Sequence, residues 1–375
     1  MSSRRAYTAA GVDVAAGERA VELIRGVVEG TRRPESIGGL GGFAGAIGIP
    51  AGFRDPVLVA ATDGVGTKTA IATALGRFDT IGRDLVAMCA DDVVCAGAEP
   101  LAFLDYVAVG QIEPGGIAEL VEGIAAGCRE AGCALVGGET AEHPGVMEPA
   151  SFDLAGTCVG VVERTELIDG SRVRAGDAIV GLEASGLHAN GFSLIRALIA
   201  EWDLDLATPY QAQLRRTMGE EATAASVHAE PAHAMATLGE VLLTPTRIYT
   251  GAVLRLRDRL DADRTPIHGI AHITGGGLPA NLPRALPDDL GARLDLGTWP
   301  VPSVMRLIGA LGGLEDDELR ATFNGGLGMV VIVPEAAVTP TVAFLDGEGI
   351  RAWRVGEAVP ADRLDGRRYV EVAGA

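Results

Sequence analysis

Lysine is almost absent from this chain of 375 residues, since Lys68 is the only one and the other thirty basic residues are arginine. Aromatic residues make up only 4%, and the five cysteines form no C-x-x-C pair. No apolar run reaches the roughly 18–20 residues of a membrane helix. The cysteine pattern argues against a zinc or disulfide scaffold and predicts reduced thiols in the cytoplasm. The net charge of −19 argues against a nucleic acid or an anionic membrane surface as partner.

Apolar residues are plentiful, at 48%, and the length suffices for two domains with cores of their own. Strand patterns alternate with helix patterns in both halves, which predicts an α/β fold. A polar, turn-rich stretch at 163–177 marks the expected boundary, giving domains 1–168 and 169–375. We expect the segment ETAEHPG, which begins at Glu139, to form a loop after a strand, and residues 203–240 to be helical.

The lysine lies in the stretch TDGVGTKT, directly after a predicted buried strand that ends at Asp63. The Asp63 carboxylate suits Mg²⁺, and Gly64 and Gly66 allow backbone N–H groups to approach an anion. Thr67 adds a hydroxyl group and Lys68 a mobile compact ammonium group, which differs from a guanidinium in a crowded phosphate site. The stretch is not a Walker A loop, which needs glycine before the lysine. A tight turn with a surface lysine is the alternative.

A second glycine cluster, GGLGGFAG, contains Gly38, Gly39, Gly41 and Gly42. It follows a predicted helix rather than a strand, so it is not a dinucleotide-binding fingerprint. A loop that covers phosphate groups and a flexible connector are equally compatible with its composition.

Several carboxylates lie within or next to apolar segments, where burying a charge is costly. Asp91 and Asp92 lie late in an apolar helix, with Asp84 on nearly the same face as Asp91, and Glu139 follows a strand-end Gly-Gly. We expect these side chains to join Asp63 around Mg²⁺, although a single helical aspartate usually faces solvent.

The second half carries three glycine turns. His188 and Asn190 lie in ASGLHANGF, and Gly275, Gly276 and Gly277 lie in HITGGG ahead of a predicted helix, which is a typical anion site. FNGGLG provides further backbone donors. His268 and His272 have no third ligand in sequence, so we set zinc aside.

These motifs occur together in a known order: GGLGGF, TDGVGTK, IG-x-DLVAMC-x-x-D, GAEP, LVGGETAE, ASG-x-H-x-NGFSL, PTRIY, HITGGG and FN-x-G-x-GM. From about Val12 to Val355 the chain closely resembles the phosphoribosylformylglycinamidine cyclo-ligase (aminoimidazole ribonucleotide synthetase) family of purine biosynthesis. The resemblance implies ATP-dependent closure of an imidazole ring in a homodimer whose N-terminal strands form an intersubunit barrel. The C-terminal domain would be a mixed sheet with packed helices.

The resemblance also implies residue roles. Catalytic roles fall to His188, Asp63 and Lys68, and ATP binding to the two N-terminal glycine clusters with Thr67 and Asp92. Magnesium ligands would be Asp63, Asp91, Asp92 and Glu139. The ribonucleotide substrate would contact His188, Asn190, Thr246, Arg247, Gly275, Gly276 and Gly277. The family often has Asn-Asp where this chain has Asp91-Asp92, which leaves the role of Asp91 open.

Other readings remain from the same superfamily. Selenophosphate synthetases carry a reactive cysteine near the N-terminal glycine loop, whereas the first cysteine here is Cys89. Thiamine-monophosphate kinases lack the PTRIY and FN-x-G-x-G motifs. A non-catalytic nucleotide-binding protein is a further alternative, against which the presence of both Asp63 and Lys68 argues.

Overall fold

The computed structural model describes residues 13–39 and 41–373. The chain divides into two compact units. The first comprises the described residues up to 94 together with 98–166, and the second comprises 95–97 and 167–373. Within these ranges, no helix is long and apolar enough to cross a membrane.

The first unit combines a four-stranded sheet, a short two-stranded ribbon and four helices. Its helices are α1 (Val14–Glu29), α2 (Thr69–Leu75), α3 (Ile81–Cys95) and α4 (Pro114–Ala131). Its strands are β1 (Ser36–Ile37), β2 (Ala46–Ile47), β3 (Pro56–Gly64), β4 (Glu99–Val109), β5 (Ala134–Glu142) and β6 (Phe152–Glu163). The larger sheet has the order β3-β6-β4-β5, in which only β4 and β5 run parallel.

Local sequence signals explain where the helices begin. The Asp13 carboxylate caps α1 by accepting a hydrogen bond from the Ala16 N–H at 2.9 Å. Pro114 occupies the first turn of α4, where its missing N–H costs nothing. The helix α3 is the centre of this unit, because 12 of its 15 residues are buried.

The backbones of helices α3 and α4 are in direct contact. A Cβ atom on Gly82 of α3 would lie 2.3 Å from the Ile124 backbone nitrogen, and one on Gly123 would lie 2.6 Å from the Asp79 carbonyl oxygen. Glycine is therefore required at both positions because no side chain fits between the two helices.

One face of the sheet packs on α3, where a Cβ atom on Gly156 would lie 3.2 Å from Leu85. The strands also carry large apolar side chains that remain exposed. Leu58 is 60% exposed, Tyr106 40% and Leu104 38%. Alternation along the strands thus gives this sheet a second, partly apolar face that the described chain leaves uncovered.

The second unit is a six-stranded mixed sheet with packed helices. Its strands are β7 (Ala178–Glu183), β8 (Gly269–His272), β9 (Leu290–Leu296), β10 (Leu327–Val333), β11 (Ala352–Pro360) and β12 (Tyr369–Ala373), in the order β12-β9-β11-β7-β10-β8. Its helices are α5 (Phe192–Glu201), α6 (Tyr210–Met218), α7 (Glu220–Ala229), α8 (Leu238–Leu242), α9 (Thr250–Ala262), α10 (Gly277–Asn281), α11 (Ser303–Gly312), α12 (Asp316–Thr322) and α13 (Val338–Gly347). All residues of β10 are buried, so this strand lies at the core.

Two expectations from the sequence need correction. The first four residues of the predicted loop at 139–145 are the end of β5, because Thr140 and Ala141 pair in register with Val107 and Ala108 of β4. The predicted long helical stretch at 203–240 is broken, since Gly219 adopts a φ of 88° between α6 and α7 and Pro231 begins a separate short turn.

Candidate active site

The carboxyl end of β3 faces α3. Asp63, Gly156, Asp105 and Gly138 form one register row across the four-stranded sheet, so the two aspartates belong to the same face. Asp63 Oδ1 accepts a hydrogen bond from the Gly64 N–H at 2.7 Å. The chain then turns through Gly66, which has a φ of 67° that favours glycine. The predicted strand and turn around Asp63 are therefore present, but the prediction that the strand is buried was wrong, because β3 lies at the edge of the sheet and none of its residues is buried.

Lys68 is fully buried at the end of this turn, and its Nζ lies 2.8 Å from Asp84 Oδ1, which is also fully buried. Burial lowers the pKa of Lys68, and the Asp84 charge opposes that shift. The alternative of a surface lysine is wrong, and so is the description of Lys68 as a mobile cation. Asp84 is thus paired with Lys68 through Oδ1, and its expected place near Mg²⁺ stays a prediction. The predicted part of Lys68 in ATP binding or catalysis stays a prediction.

The thiol of Cys89 on α3 connects this helix with the end of β3. Cys89 Sγ lies 3.4 Å from the Gly156 carbonyl oxygen and 3.9 Å from that of Asp63. Burial raises the pKa of Cys89 to about 12, and the negative charges of Asp63 and Asp92 add to the shift. The part of Asp63 and Asp92 in a shared magnesium site stays a prediction.

The four predicted magnesium ligands do not form one cluster. Asp91 is fully buried in α3, whereas Glu139 is exposed on the edge strand β5. Across residues 13–39 and 41–373, no three His, Cys, Asp or Glu side chains gather in a way that could hold a metal ion. The described carboxylates could therefore provide only part of a magnesium coordination shell.

A cavity of about 630 Å³ lies over β4 and β5, between α1, a glycine segment made of residues 39 and 41–45, and the start of α4. It brings together Gly39, Gly41, Gly42 and Glu139, which the sequence predicted at separate motifs. Gly38 lines a neighbouring small cleft, where its carbonyl oxygen accepts a hydrogen bond from Arg32. The cavity also contains Asp105, which sequence reasoning missed. No local sequence signal marks Asp105, because its register partner Gly138 lies on another strand.

In the second unit, His188 has a left-handed backbone conformation with a φ of 62°, which is uncommon outside glycine. Its ring is 2% exposed, and Nε2 accepts a hydrogen bond from the Ser185 N–H at 3.2 Å. A neutral ring in this arrangement carries its proton on Nδ1. A Cβ atom on Gly328 would lie 2.3 Å from His188 Cε1 and 2.1 Å from the Tyr249 hydroxyl oxygen, so the FNGGLG glycine is required for both rings to fit.

The other two glycine motifs meet the His188 loop. A Cβ atom on Gly275 would lie 3.3 Å from Asn190 Oδ1. The Asn281 amide fixes the turn by donating to the carbonyl oxygens of Gly277 at 2.9 Å and Gly275 at 3.2 Å. Gly275 and Gly276 remain exposed. The structure thus places Asn190 beside the glycine turn that the sequence predicted as an anion site.

The PTRIY segment joins the same region through Pro245, whose carbonyl oxygen accepts a hydrogen bond from Ser185 Oγ at 2.7 Å. Thr246 is 1% exposed. The Arg247 guanidinium lies 3.6 Å from Glu183 Oε2 and donates to the Gly349 carbonyl oxygen at 3.2 Å. Arg247 is therefore held by protein groups, and its predicted contact with a substrate phosphate stays a prediction.

Comparison with known proteins places both units in one family. The family model described as AIR synthase related protein, N-terminal domain, matches residues 49–162, and that of the C-terminal domain matches residues 174–368. Solved structures with the same fold include a thiamine-monophosphate kinase from Stenotrophomonas maltophilia (TM-score 0.64, 19% identity, 94% of this chain and 96% of that chain). Another is the hydrogenase maturation protein HypE in complex with ATP (TM-score 0.61, 20% identity, 95% and 91%). At such identities they show the fold alone.

Sequence relatives are much more similar. The phosphoribosylformylglycinamidine cyclo-ligase of Gloeobacter violaceus is 51% identical over 355 residues, which cover 95% of this chain and 98% of the relative. That of Synechococcus elongatus is 48% identical, covering 95% and 97%, and that of Sorangium cellulosum is 47% identical, covering 94% and 95%. The chain therefore belongs to the phosphoribosylformylglycinamidine cyclo-ligase family.

Proposed function

We propose that this protein closes the imidazole ring of formylglycinamidine ribonucleotide, with ATP converted to ADP and phosphate, in purine biosynthesis. The observation that carries the proposal is the 51% identity to a cyclo-ligase of that name over nearly the whole of both chains. The paired glycine motifs of the second unit and the Asp63 turn of the first agree with it, because phosphoryl transfer asks mainly for positioning and charge neutralisation.

The reaction has two bond changes at one carbon. The γ-phosphoryl group of ATP is transferred to the formyl oxygen, which turns that oxygen into a leaving group. A substrate nitrogen then attacks the formyl carbon and loses a proton, and the carbon–oxygen bond breaks. The oxygen leaves as part of inorganic phosphate, and the aminoimidazole ring is closed.

The first unit is proposed to hold ATP. Its backbone donors come from Gly64, Gly66 and the glycine segment, with the Thr67 hydroxyl group and Lys68 beside them. Bound magnesium would neutralise charge on the triphosphate, and the carboxylates of Asp63 and Asp92 are proposed as ligands because Mg²⁺ prefers hard oxygen donors. Asp91 and Glu139 stay in the proposed set. Phosphate oxygens would complete the coordination, since the described carboxylates do not gather in threes.

The second unit is proposed to hold the ribonucleotide substrate. The turn Gly275–Gly277, in which Gly275 and Gly276 are exposed, offers backbone groups to a phosphate. Asn190 lies beside Gly275, and Thr246 follows Pro245, whose carbonyl oxygen accepts a hydrogen bond from Ser185. His188 is proposed to contact the substrate from the same loop as Asn190, with Nε2 accepting a hydrogen bond from the Ser185 N–H. Arg247 is proposed to contact a phosphate with guanidinium N–H groups other than the one that donates to the Gly349 carbonyl oxygen.

We also propose a cytoplasmic homodimer. The support is the partly apolar sheet face with Leu58, Leu104 and Tyr106, which a second copy of the chain would cover as the intersubunit barrel of the resemblance requires.

A turnover assay tests the proposal. Purified protein is supplied with formylglycinamidine ribonucleotide, ATP and Mg²⁺, and ADP is measured together with the aminoimidazole product. We expect ADP formation that requires the ribonucleotide and equals the product in amount. Asp63→Asn should lower turnover at least about 100-fold, as losses of electrostatic stabilisation do. Asp55→Asn, at the exposed opposite end of β3, is the matched control. ADP formation at the same rate with and without the ribonucleotide would reject this function.

A further inference from the structure

The FNGGLG motif of the second unit forms a buried turn. Its glycines Gly325 and Gly326 are buried, whereas Gly275 and Gly276 of the HITGGG turn are exposed. The turn is fixed by the Trp299 indole N–H, which donates a hydrogen bond to the Gly325 carbonyl oxygen at 2.9 Å. The FNGGLG backbone is therefore placed to support neighbouring loops rather than to take up a phosphate group from solvent.

Asn324, the second residue of this motif, joins the turn to the His188 loop, which comprises residues 186–191. The Asn324 side chain is 3% exposed. Its Nδ2 donates a hydrogen bond to the Gly186 carbonyl oxygen at 2.9 Å, and its Oδ1 accepts one from the Gly326 N–H at 2.9 Å. A buried amide that is paired at both ends makes a firm link, because losing either partner leaves a polar group unsatisfied.

The residue before Asn324 contacts the other end of the same loop. A Cβ atom on Gly191 would lie 2.3 Å from Phe323 Cε1, so the Phe323 ring packs directly on that glycine. A Cβ atom on Gly277 would lie 2.6 Å from the Phe323 carbonyl oxygen. Two consecutive residues thus contact both ends of the His188 loop and the glycine turn that is proposed to hold a phosphate.

The His188 loop needs this support because its backbone is strained. His188 has a φ of 62°, a left-handed conformation that persists only where the surrounding structure holds it. In this conformation, Nε2 accepts a hydrogen bond from the Ser185 N–H, and Asn190 lies beside Gly275. Releasing the Gly186 carbonyl oxygen would therefore change the positions of both side chains that are proposed to contact the substrate.

We propose that Asn324 is a positioning residue for ring closure. By holding the Gly186 carbonyl oxygen, it keeps His188 and Asn190 where they can contact the ribonucleotide. The inference rests on the proposed function and gives the FNGGLG motif a part in it without contact to the substrate. Because ATP is proposed to bind the first unit, ATP binding should not depend on Asn324.

Steady-state kinetics of Asn324→Ala separates positioning from a general effect on folding. We expect kcat/KM for the ribonucleotide to fall at least about tenfold, since misplacing a reacting group can cost about 100-fold, while KM for ATP stays unchanged. Trp299→Phe is the matched control, because it removes a hydrogen bond to the same turn at Gly325 rather than one to the His188 loop. Equal losses in the two variants, or wild-type turnover in Asn324→Ala, overturn the inference.

Asn324→Asp decides the question if circular dichroism shows that Asn324→Ala does not fold. This substitution keeps an oxygen for the Gly326 N–H but removes the amide donor. At about pH 8.5 the new carboxyl group is ionised and cannot donate to the Gly186 carbonyl oxygen, so kcat/KM for the ribonucleotide should again fall at least about tenfold. Wild-type turnover would confine Asn324 to the FNGGLG turn and overturn the inference.

Amide hydrogen exchange tests the same contact without turnover. The Ala184 N–H, next to the loop, donates to the Gly326 carbonyl oxygen at 2.9 Å. We expect peptides covering residues 184–191 to exchange at least about tenfold faster in Asn324→Ala, and at the wild-type rate in Trp299→Phe. Unchanged exchange in Asn324→Ala overturns the inference even if the ring-closure assay succeeds. If wild-type protein does not close the ring but the variant exchanges faster, the proposed function fails while the loop contact stands.

Discussion

The Lys68 ammonium group lies 2.8 Å from Asp84 Oδ1, and neither side chain has exposed surface. Two opposite charges removed from water stabilise each other only when both are present, since either alone bears the full cost of desolvation. A compact ammonium group also needs less space than a guanidinium group. The pair therefore gives a structural reason for retaining one lysine in a chain otherwise rich in arginine.

Replacing the lysine tests this explanation. Lys68→Met leaves Asp84 buried without its counter-charge, so the free energy of unfolding should fall by about 3–5 kcal/mol. The double variant Lys68→Met, Asp84→Leu should recover much of the loss. Urea denaturation followed by circular dichroism measures both. A loss below about 1 kcal/mol in the single variant would show that the pair is not coupled as described.

A second residue-scale prediction concerns the pH dependence of stability. The pKa of Asp105 is raised from its ordinary value of 3.8 to about 7, so between these values the folded protein binds a proton that the unfolded chain releases. Wild-type protein should therefore lose stability relative to Asp105→Asn as pH rises from about 4 to 7, by on the order of 2–4 kcal/mol. Denaturant titrations across this range check it; parallel curves for the two proteins would contradict it.

Elements of the first unit could be predicted well because their signals are local. The helix α1 begins at its Asp13 cap and α4 at Pro114, as their sequences indicate. The end of β5 was missed since its polar residues Glu139–Glu142 are typical of a loop, and only pairing with β4 makes them a strand. Asp105 was missed for the same reason, because its relation to Gly138 exists only across strands.

The packing of helix α3 on helix α4 gives a prediction about stability at the level of secondary-structure elements. Gly82→Ala places a methyl group 2.3 Å from the Ile124 nitrogen, where backbone cannot yield easily, and should lower the free energy of unfolding by about 1–3 kcal/mol. Gly26→Ala in α1, where a Cβ atom would contact nothing within 4 Å, should instead be neutral or stabilise by up to about 1 kcal/mol. Equal effects of the two substitutions on thermal unfolding would refute this account of the helix contact.

The two units share one structural feature. In each of them, glycine turns bring the backbone close to carboxylate, histidine or amide side chains. The sequence order of these motifs predicted the family, which the comparisons confirm. It could not predict the partners that hold Lys68 and Arg247, because the contacts with Asp84 and Glu183 come from residues distant in sequence.

Assembly supplies the prediction at the scale of the whole molecule. Leu58→Arg places a charge on the uncovered sheet face and should convert the proposed dimer to a single chain. Val146→Arg, at an apolar loop position that is 82% exposed, is the matched control and should leave assembly unchanged. Light scattering coupled to size exclusion gives the mass of each. A wild-type protein that elutes as one chain, or a Leu58→Arg variant that stays dimeric, would exclude this face as the interface.

The most direct measurement for the proposed reaction follows the formyl oxygen. Substrate labelled with ¹⁸O at that atom is converted with unlabelled ATP, and the released phosphate is analysed by mass spectrometry. Phosphoryl transfer to the formyl oxygen predicts one ¹⁸O atom in each phosphate formed. Ring closure that releases unlabelled phosphate would contradict the account.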